Sequence, residues 1–216
     1  MFELVAIPLG YLLGSIPFGL IVARLFGVKD VRGVGSGNIG ATNVWRVAGP
    51  LAGILALIFD VGKGAAAVIL ANTLSTVLIN AEYVRLLSGF AAIIGHIFPV
   101  FLRFKGGKGV NTALGVMIIL IPIETIIAIL TFAITVAISR YISLGSMLGA
   151  TALALAVLIG VIFQLSNTNP IYVPISIILM LLIIYTHRGN IRRLRSGTED
   201  RFQFHSRKMN GGEKDV

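Results

Sequence analysis

The chain has 216 residues, 56% of them hydrophobic and only 12% charged, with a mean hydropathy of +0.93. A soluble domain of this size cannot hide so much apolar surface, so most of the chain must face lipid or other membrane helices. It has no cysteine, which excludes disulfides, a thiolate nucleophile and a cysteine metal site, and its net charge of +9 sits in short connections between apolar runs, a pattern that fits orientation in a bilayer and not nucleic acid.

The first apolar run, Phe2 to Phe26, follows no basic n-region and precedes no small-residue cleavage site, so it reads as a retained span. A polar segment from Gly35 to Arg46 leads to the second run, Leu51 to Ile79. That run is too long for one simple span and carries Asp60 and Lys63 about one turn apart on one helix face. Either the helix begins late, after an interfacial segment around Pro50, or the pair is buried and mutually neutralised. The third run, Leu86 to Leu102, holds His96, read as a hydrogen-bonded interior residue. After the loop Lys105-Gly106-Gly107-Lys108-Gly109 the stretch Val110 to Ser139 would be about 45 Å long as one helix, against a hydrocarbon core of about 30 Å. Pro122 and Glu124 suit a turn at the opposite surface and divide it into two short spans. Leu144 to Phe163 and Ile171 to Tyr185 complete seven.

Charge supports this count. Seven spans place Arg24, Lys29, Arg32, Arg46, Arg103, Lys105, Lys108, Arg140 and the tail from Arg188 to Lys214 on one side, and Arg85 with Glu3, Glu82 and Glu124 on the other. The expected protein is therefore an all-α polytopic membrane protein with seven transmembrane helices, N-terminus outside and C-terminus cytoplasmic. Residues 1–199 are expected to form a single transmembrane domain, and 200–216 a disordered cytoplasmic tail. No internal repeat favours an inverted-repeat transporter, and the polar groups crowd one face instead of the midplane.

Three polar segments fall on that cytoplasmic face: Gly35 to Arg46, Gly95 to Thr112, and His187 to Glu199, with Arg140 and Ser143 bordering the remaining inner connection. The glycines of 106, 107 and 109 let successive N–H groups point at one anion, and Lys105 and Lys108 add charge, so a phosphorylated ligand is expected there. The spacing is not that of a P-loop, and no acidic cluster near the glycines would hold Mg²⁺ for a nucleotide donor. His187 and Asn190 share a face if the last helix continues, with arginines beside them.

Taken together, Ser36-Gly37-Asn38-Ile39-Gly40-Ala41-Thr42-Asn43 with Arg46, Gly95-His96 with Phe104-Lys105-Gly106-Gly107-Lys108-Gly109-Val110, and His187-Arg188 with Asn190-Ile191 and Arg193-Leu194 resemble one family. It is that of the bacterial acyl-phosphate:glycerol-3-phosphate acyltransferases; Asp60, Lys63 and Gly64 match its pattern too, whereas Gly189 stands where a polar or acidic residue is usual. The resemblance implies an enzyme of the bacterial inner membrane, working at its cytoplasmic face, that acylates the 1-hydroxyl of glycerol 3-phosphate from acyl phosphate. This gives 1-acylglycerol 3-phosphate and opens phospholipid synthesis. Its implied partners are the two substrates, membrane lipids and the enzyme that makes the acyl phosphate, with neither cofactor nor metal.

The resemblance puts glycerol 3-phosphate at the glycine segment and marks Ser36 and Arg46 as essential. Chemistry adds expectations of its own. An acyl phosphate is a mixed anhydride with a good leaving group, so the task is to align an alcohol with the carbonyl and stabilise the oxyanion. Two phosphates must approach each other, and Lys105, Lys108, Arg46, Arg188 and Arg193 can supply the cations. Ser36, Asn38 and Thr42, with Ser143, suit the donor's phosphate. His187 is the natural side-chain base, although the departing phosphate can also take the hydroxyl proton; Asn190 would orient the acceptor or donate to the oxyanion. Ser36 lacks the His and acid that would activate a covalent nucleophile, and Glu199 is expected to tie the tail to the basic cluster.

Overall fold

Ten α-helices order the chain in a computed structural model that describes residues 2–74, 81–165 and 168–202. They are α1 (Ala6–Ser15), α2 (Phe18–Leu25), α3 (Ala41–Ala48), α4 (Pro50–Leu74), α5 (Ala81–Ile97), α6 (Val110–Leu120), α7 (Pro122–Ser139), α8 (Ile142–Ile162), α9 (Tyr172–Thr186) and α10 (Arg188–Arg195). Among the described residues every regular element is helical, as the uniform apolar runs predict.

Five helical stretches are long and apolar enough to cross a bilayer: 6–25 (α1 with α2), α4, 81–102, α7 and α8. The bent pair α9 and α10, turned by 58° at His187, makes a sixth. The run expected as a short span from Val110 to Ile121 is helical over 11 residues: α6 is about 16 Å long at the helical rise, half of the hydrocarbon core's thickness. Pro122 opens α7, as its missing N–H allows at a helix start. The first run is also interrupted, at Ile16-Pro17, and the polar segments contain two helices, α3 and α10, that apolar periodicity could not reveal. The end of the second expected span, residues 75–79, lies outside the described residues, as does most of the expected tail.

Small residues bring the helices together. A methyl group on Gly64 of α4 would overlap the Thr112 carbonyl of α6, and one on Gly115 would overlap the Val61 carbonyl, so these two helices meet backbone to backbone. Ser88 of α5 donates to the carbonyls of Ala6 (2.9 Å) and Ala67 (3.1 Å), joining three helices where no water could satisfy it. The interior is filled by Val68, Leu86, Ile93, Val116, Met117, Val157 and Leu179. By contrast Ile123, Ile126, Ile127, Leu130, Ile134 and Ile138 leave one face of α7 exposed as hydrocarbon, which is the face that lipid would cover.

Asp60 and Lys63 prove to be buried and paired. The ammonium lies 2.8 Å from the carboxylate and donates to the Ile16 carbonyl at 2.8 Å, which the break before Pro17 leaves without a helical partner.

Candidate active site

One cavity of about 480 Å³ opens where α3, α4, α6, α7, α8 and the α9–α10 bend meet. Its rim is polar, with Ser36, Asn38, Thr42, Arg46, Lys108, Ser143, His187, Asn190 and Arg193; below it runs a trough of Leu57, Leu114, Met117, Phe132 and Leu153. A site with ionic head and hydrocarbon floor fits an amphiphile.

The first segment is shaped by a residue that motif reasoning passed over. Asn43, fully buried at the start of α3, accepts the Ser36 N–H at 2.8 Å. Its amide nitrogen donates to the carbonyls of Val31 (2.9 Å), Val34 (3.1 Å) and Asn38 (2.8 Å). Asn38 in turn accepts the Gly40 N–H at 2.8 Å, an Asx-type turn that starts the helix. A side chain with both donor and acceptor in a loop rich in glycine is the signal that would have found Asn43. Ser36 is thereby held at the rim by its backbone.

The glycine loop differs from expectation. Gly106 N–H donates to the Ile97 carbonyl at 3.1 Å and Gly107 N–H to the His96 carbonyl at 3.0 Å, so neither amide is free for a phosphate. Both glycines are required for another reason: a methyl on Gly106 would overlap the His96 carbonyl, and one on Gly107 the His96 ring nitrogen Nε2. The loop is thus strapped down, and Lys105, Gly106 and Gly107 lie outside the cavity lining while Lys108 and Gly109 line it. Gly109, at φ +82°, turns the chain into α6, whose first N–H groups have no side-chain cap. Val110 and Asn111 line the cavity at the positive end of the helix dipole.

The third segment centres on Glu199, whose side chain is 6% exposed. It accepts from Ser143 (2.6 Å), Asn190 (2.6 Å) and Arg193 (2.7 Å). Burial pushes its pKa up, but these three hydrogen bonds outweigh that and hold the carboxyl below its ordinary value. The Asn190 carbonyl oxygen accepts from the Lys108 ammonium. A chain Lys108–Asn190–Glu199–Ser143 therefore links three segments, and Glu199 is indeed the tie expected of it. Asn190 and Ser143 act as its struts and also line the cavity. Lys108 is pushed down to about 8, chiefly by burial, with Glu199 raising it and Arg193 and Arg46 lowering it.

His187 sits at the bend between α9 and α10, and its Nδ1 lies 2.8 Å from the Ile183 carbonyl. A carbonyl only accepts, so Nδ1 carries the proton and Nε2 is left as the ring's acceptor. Arg188 is exposed, stacks over Tyr185 with 4.6 Å between guanidinium carbon and ring centre, and does not line the cavity.

The boundary expected at residue 200 falls on a strap that crosses the rim. Asp200 pairs with Arg46 at 3.2 Å, Phe202 lies against Trp45 with ring centres 5.4 Å apart, and Phe202 N–H donates to the Arg140 carbonyl at 2.7 Å. With Glu199 and Asp200 opposing Arg46, Lys108 and Arg193, the lining carries one net positive charge, less than a cluster of five cations would give.

The sequence profile described as glycerol-3-phosphate acyltransferase matches residues 4–197. A glycerol-3-phosphate acyltransferase of Zymomonas mobilis is 44% identical over 93% of this chain and 96% of its own length. One of Myxococcus xanthus is 47% identical over 90% and 96%. The crystal structure of PlsY (YgiH), an integral membrane glycerol 3-phosphate acyltransferase, in its glycerol 3-phosphate form superposes with a TM-score of 0.83 at 37% identity, covering 93% of this chain and 96% of that one. Its lysophosphatidic acid form gives 0.81 at 36% identity over 93% and 95%. An all-helical chain with apolar spans, a polar rim over a greasy trough and relatives of this likeness leave one assignment: the protein belongs to the glycerol-3-phosphate acyltransferase family.

Proposed function

We propose that the protein transfers a fatty acyl group from acyl phosphate to the 1-hydroxyl of glycerol 3-phosphate, releasing phosphate. The observation that carries this reading is a cavity in which an apolar trough runs up to Lys108, Arg46 and the uncapped start of α6. The trough takes the acyl chain. Lys108 and the Gly109–Asn111 amides take the acceptor's phosphate. Ser36, Asn38, Thr42 and Arg46 face the donor's phosphate, which displaces Asp200 from Arg46.

The glycerol oxygen attacks the acyl carbonyl carbon, an ester C–O bond forms, and the bond from that carbon to the phosphate oxygen breaks. The hydroxyl proton passes to the departing phosphate. His187, protonated at Nδ1, takes no proton in this route: its Nε2 accepts a hydrogen bond from the acceptor's other hydroxyl and so aims the 1-hydroxyl. Arg46 and the Ser36 hydroxyl stabilise charge on the donor as the bond breaks.

The reading includes orientation. Six crossings, with α6 and the loop before it together making a seventh, put the N-terminus outside and the cavity at the cytoplasmic face of the bacterial inner membrane. The acidic side chains of Glu82 and Glu124 support it, because they are bound by Asn169 (2.9 Å) and Thr168 (2.6 Å) in the connections at the other end of the bundle. A cytoplasmic rim is also where an enzyme making acyl phosphate could hand over its product.

The test compares palmitoyl phosphate, palmitoyl-CoA and palmitoyl acyl carrier protein as donors to the purified protein. Acylation of glycerol 3-phosphate is expected from palmitoyl phosphate alone, with phosphate released in equal amount; turnover with either thioester in its place would reject the donor assignment. The chain's lack of cysteine allows single cysteines at Ser36 and Lys105 to be labelled from the cytoplasmic side; labelling of the two from opposite sides would overturn the orientation.

A further inference from the structure

Three buried polar side chains take no part in the chemistry above: Asp60, Lys63 and His96, at 1%, 5% and 5% exposure. Ionisable groups at this depth are costly unless they do something, and these are arranged in series. Lys63 grips the Ile16 carbonyl at the break between α1 and α2 and lies 2.8 Å from Asp60. Asp60 faces His96 Nδ1 at 3.5 Å. The other edge of the imidazole, Nε2, abuts Gly107, and the carbonyls of His96 and Ile97 accept the Gly107 and Gly106 N–H groups. His96 also lines the cavity beside Lys108 and Gly109.

From this we infer that Asp60, Lys63 and His96 are positioning residues for the acceptor: the buried carboxylate fixes the imidazole, and the imidazole sets the height of the loop that presents Lys108 and the start of α6. The geometry explains why both glycines of that loop bond to the protein and not to ligand. The loop is a rigid platform pressed onto a ring, and the residues one and two places further on carry the anion. None of these hydrogen bonds and ion pairs is made with the trough or the Ser36–Arg46 side of the rim. Its loss should therefore act on one substrate only. The inference rests on the reading that Lys108 and Gly109 seat the phosphate of glycerol 3-phosphate.

The test uses the full chain in detergent, with glycerol 3-phosphate titrated calorimetrically and both KM values measured. Asp60→Asn/Lys63→Met removes both charges together, so no uncompensated ion is left inside. His96→Asn leaves the Asp60–Lys63 pair in place and decides the matter alone if the double variant does not fold. Each folded variant is expected to bind glycerol 3-phosphate at least tenfold more weakly, with the KM for acyl phosphate within twofold of the parent and kcat at saturation retained. Unchanged affinity for glycerol 3-phosphate, or equal weakening of both substrates, overturns the inference. A parent protein whose affinity for glycerol 3-phosphate is untouched by Lys108→Ala would instead remove the reading beneath it.

Discussion

Lys108 offers the sharpest test of how the rim works, because its charge can be removed by pH alone. Burial holds its ammonium down to about 8, from 10.5 in an open chain. Below pH 8 the group is a cation beside Asn190; above it, the free enzyme loses the charge of a rim cation that, among the described residues, is not paired with a carboxylate as Arg46 and Arg193 are. At pH 9 roughly a tenth of the free protein would still carry this charge. If the ammonium is needed to capture the acceptor, kcat/KM for glycerol 3-phosphate falls about tenfold for each pH unit beyond 8, since that ratio reports free enzyme. The kcat profile should hold to higher pH, because a bound phosphate stabilises the charged form.

Unfolding cannot mimic this limb through Lys108. Its folded value lies below its unfolded one, so between about pH 8 and 10.5 the unfolded chain binds more protons, and this group's contribution to stability grows as pH rises. The rate and the contribution of Lys108 to stability therefore move in opposite directions. Lys108→Arg keeps its charge throughout and should lose the alkaline limb, whatever its absolute rate. Steady-state kinetics from pH 6 to 10, beside thermal melts at the same pH values, make the measurement. A parent profile flat to pH 10, or an arginine variant bending at the same place, would refute the argument.

Asn43→Ala removes four hydrogen bonds that shape the Ser36 loop and should cost about 2–4 kcal/mol in stability, with turnover falling far more than the KM for glycerol 3-phosphate; melts and initial rates check both. Glu199→Gln should destabilise by about 1–3 kcal/mol, as a charge-assisted bond to Arg193 becomes a neutral one. Because the Glu199 carboxyl is held low in the fold, its stabilisation is present above the ordinary carboxylate range and lost as pH falls through the folded value; the glutamine variant should melt with a flatter acid limb. Ser36→Ala should suppress turnover while leaving the melting temperature within a few degrees, since Ser36 is anchored through its N–H. His187→Ala should keep turnover within about a hundredfold at saturating substrates; a loss beyond about ten-thousandfold would make the imidazole the base after all.

How far the sequence reaches is clearest at residues where it succeeded and failed side by side. Five apolar runs became membrane-length helical stretches because burial against lipid depends only on summed hydrophobicity, which a window of residues carries in full. The run from Val110 did not: its helix starts only where Gly109 turns the chain and ends after 11 residues, before Pro122. Within the site, Lys108, Ser36, Arg46 and His187 line the cavity as residue chemistry suggested. Lys105 and Arg188 point elsewhere, although nothing in their chemistry distinguishes them from the others. The glycines are the instructive case. A run of glycine beside lysine announces a close approach, but close approach to what is a tertiary fact: at Gly107 the neighbour is an imidazole from the preceding helix, and at Gly109 it is the turn into α6. Asp60 and Lys63 could be placed on one face but not at a depth, since an ion pair at an interface and one at the core have the same spacing. Their partner, His96, comes from a different helix 33 residues beyond Lys63 and is visible only once α4 and α5 are packed. Motif spacing thus located the chemistry, whereas the supports that aim it are set by contacts between helices, and those supports are where substitutions should separate one substrate from the other.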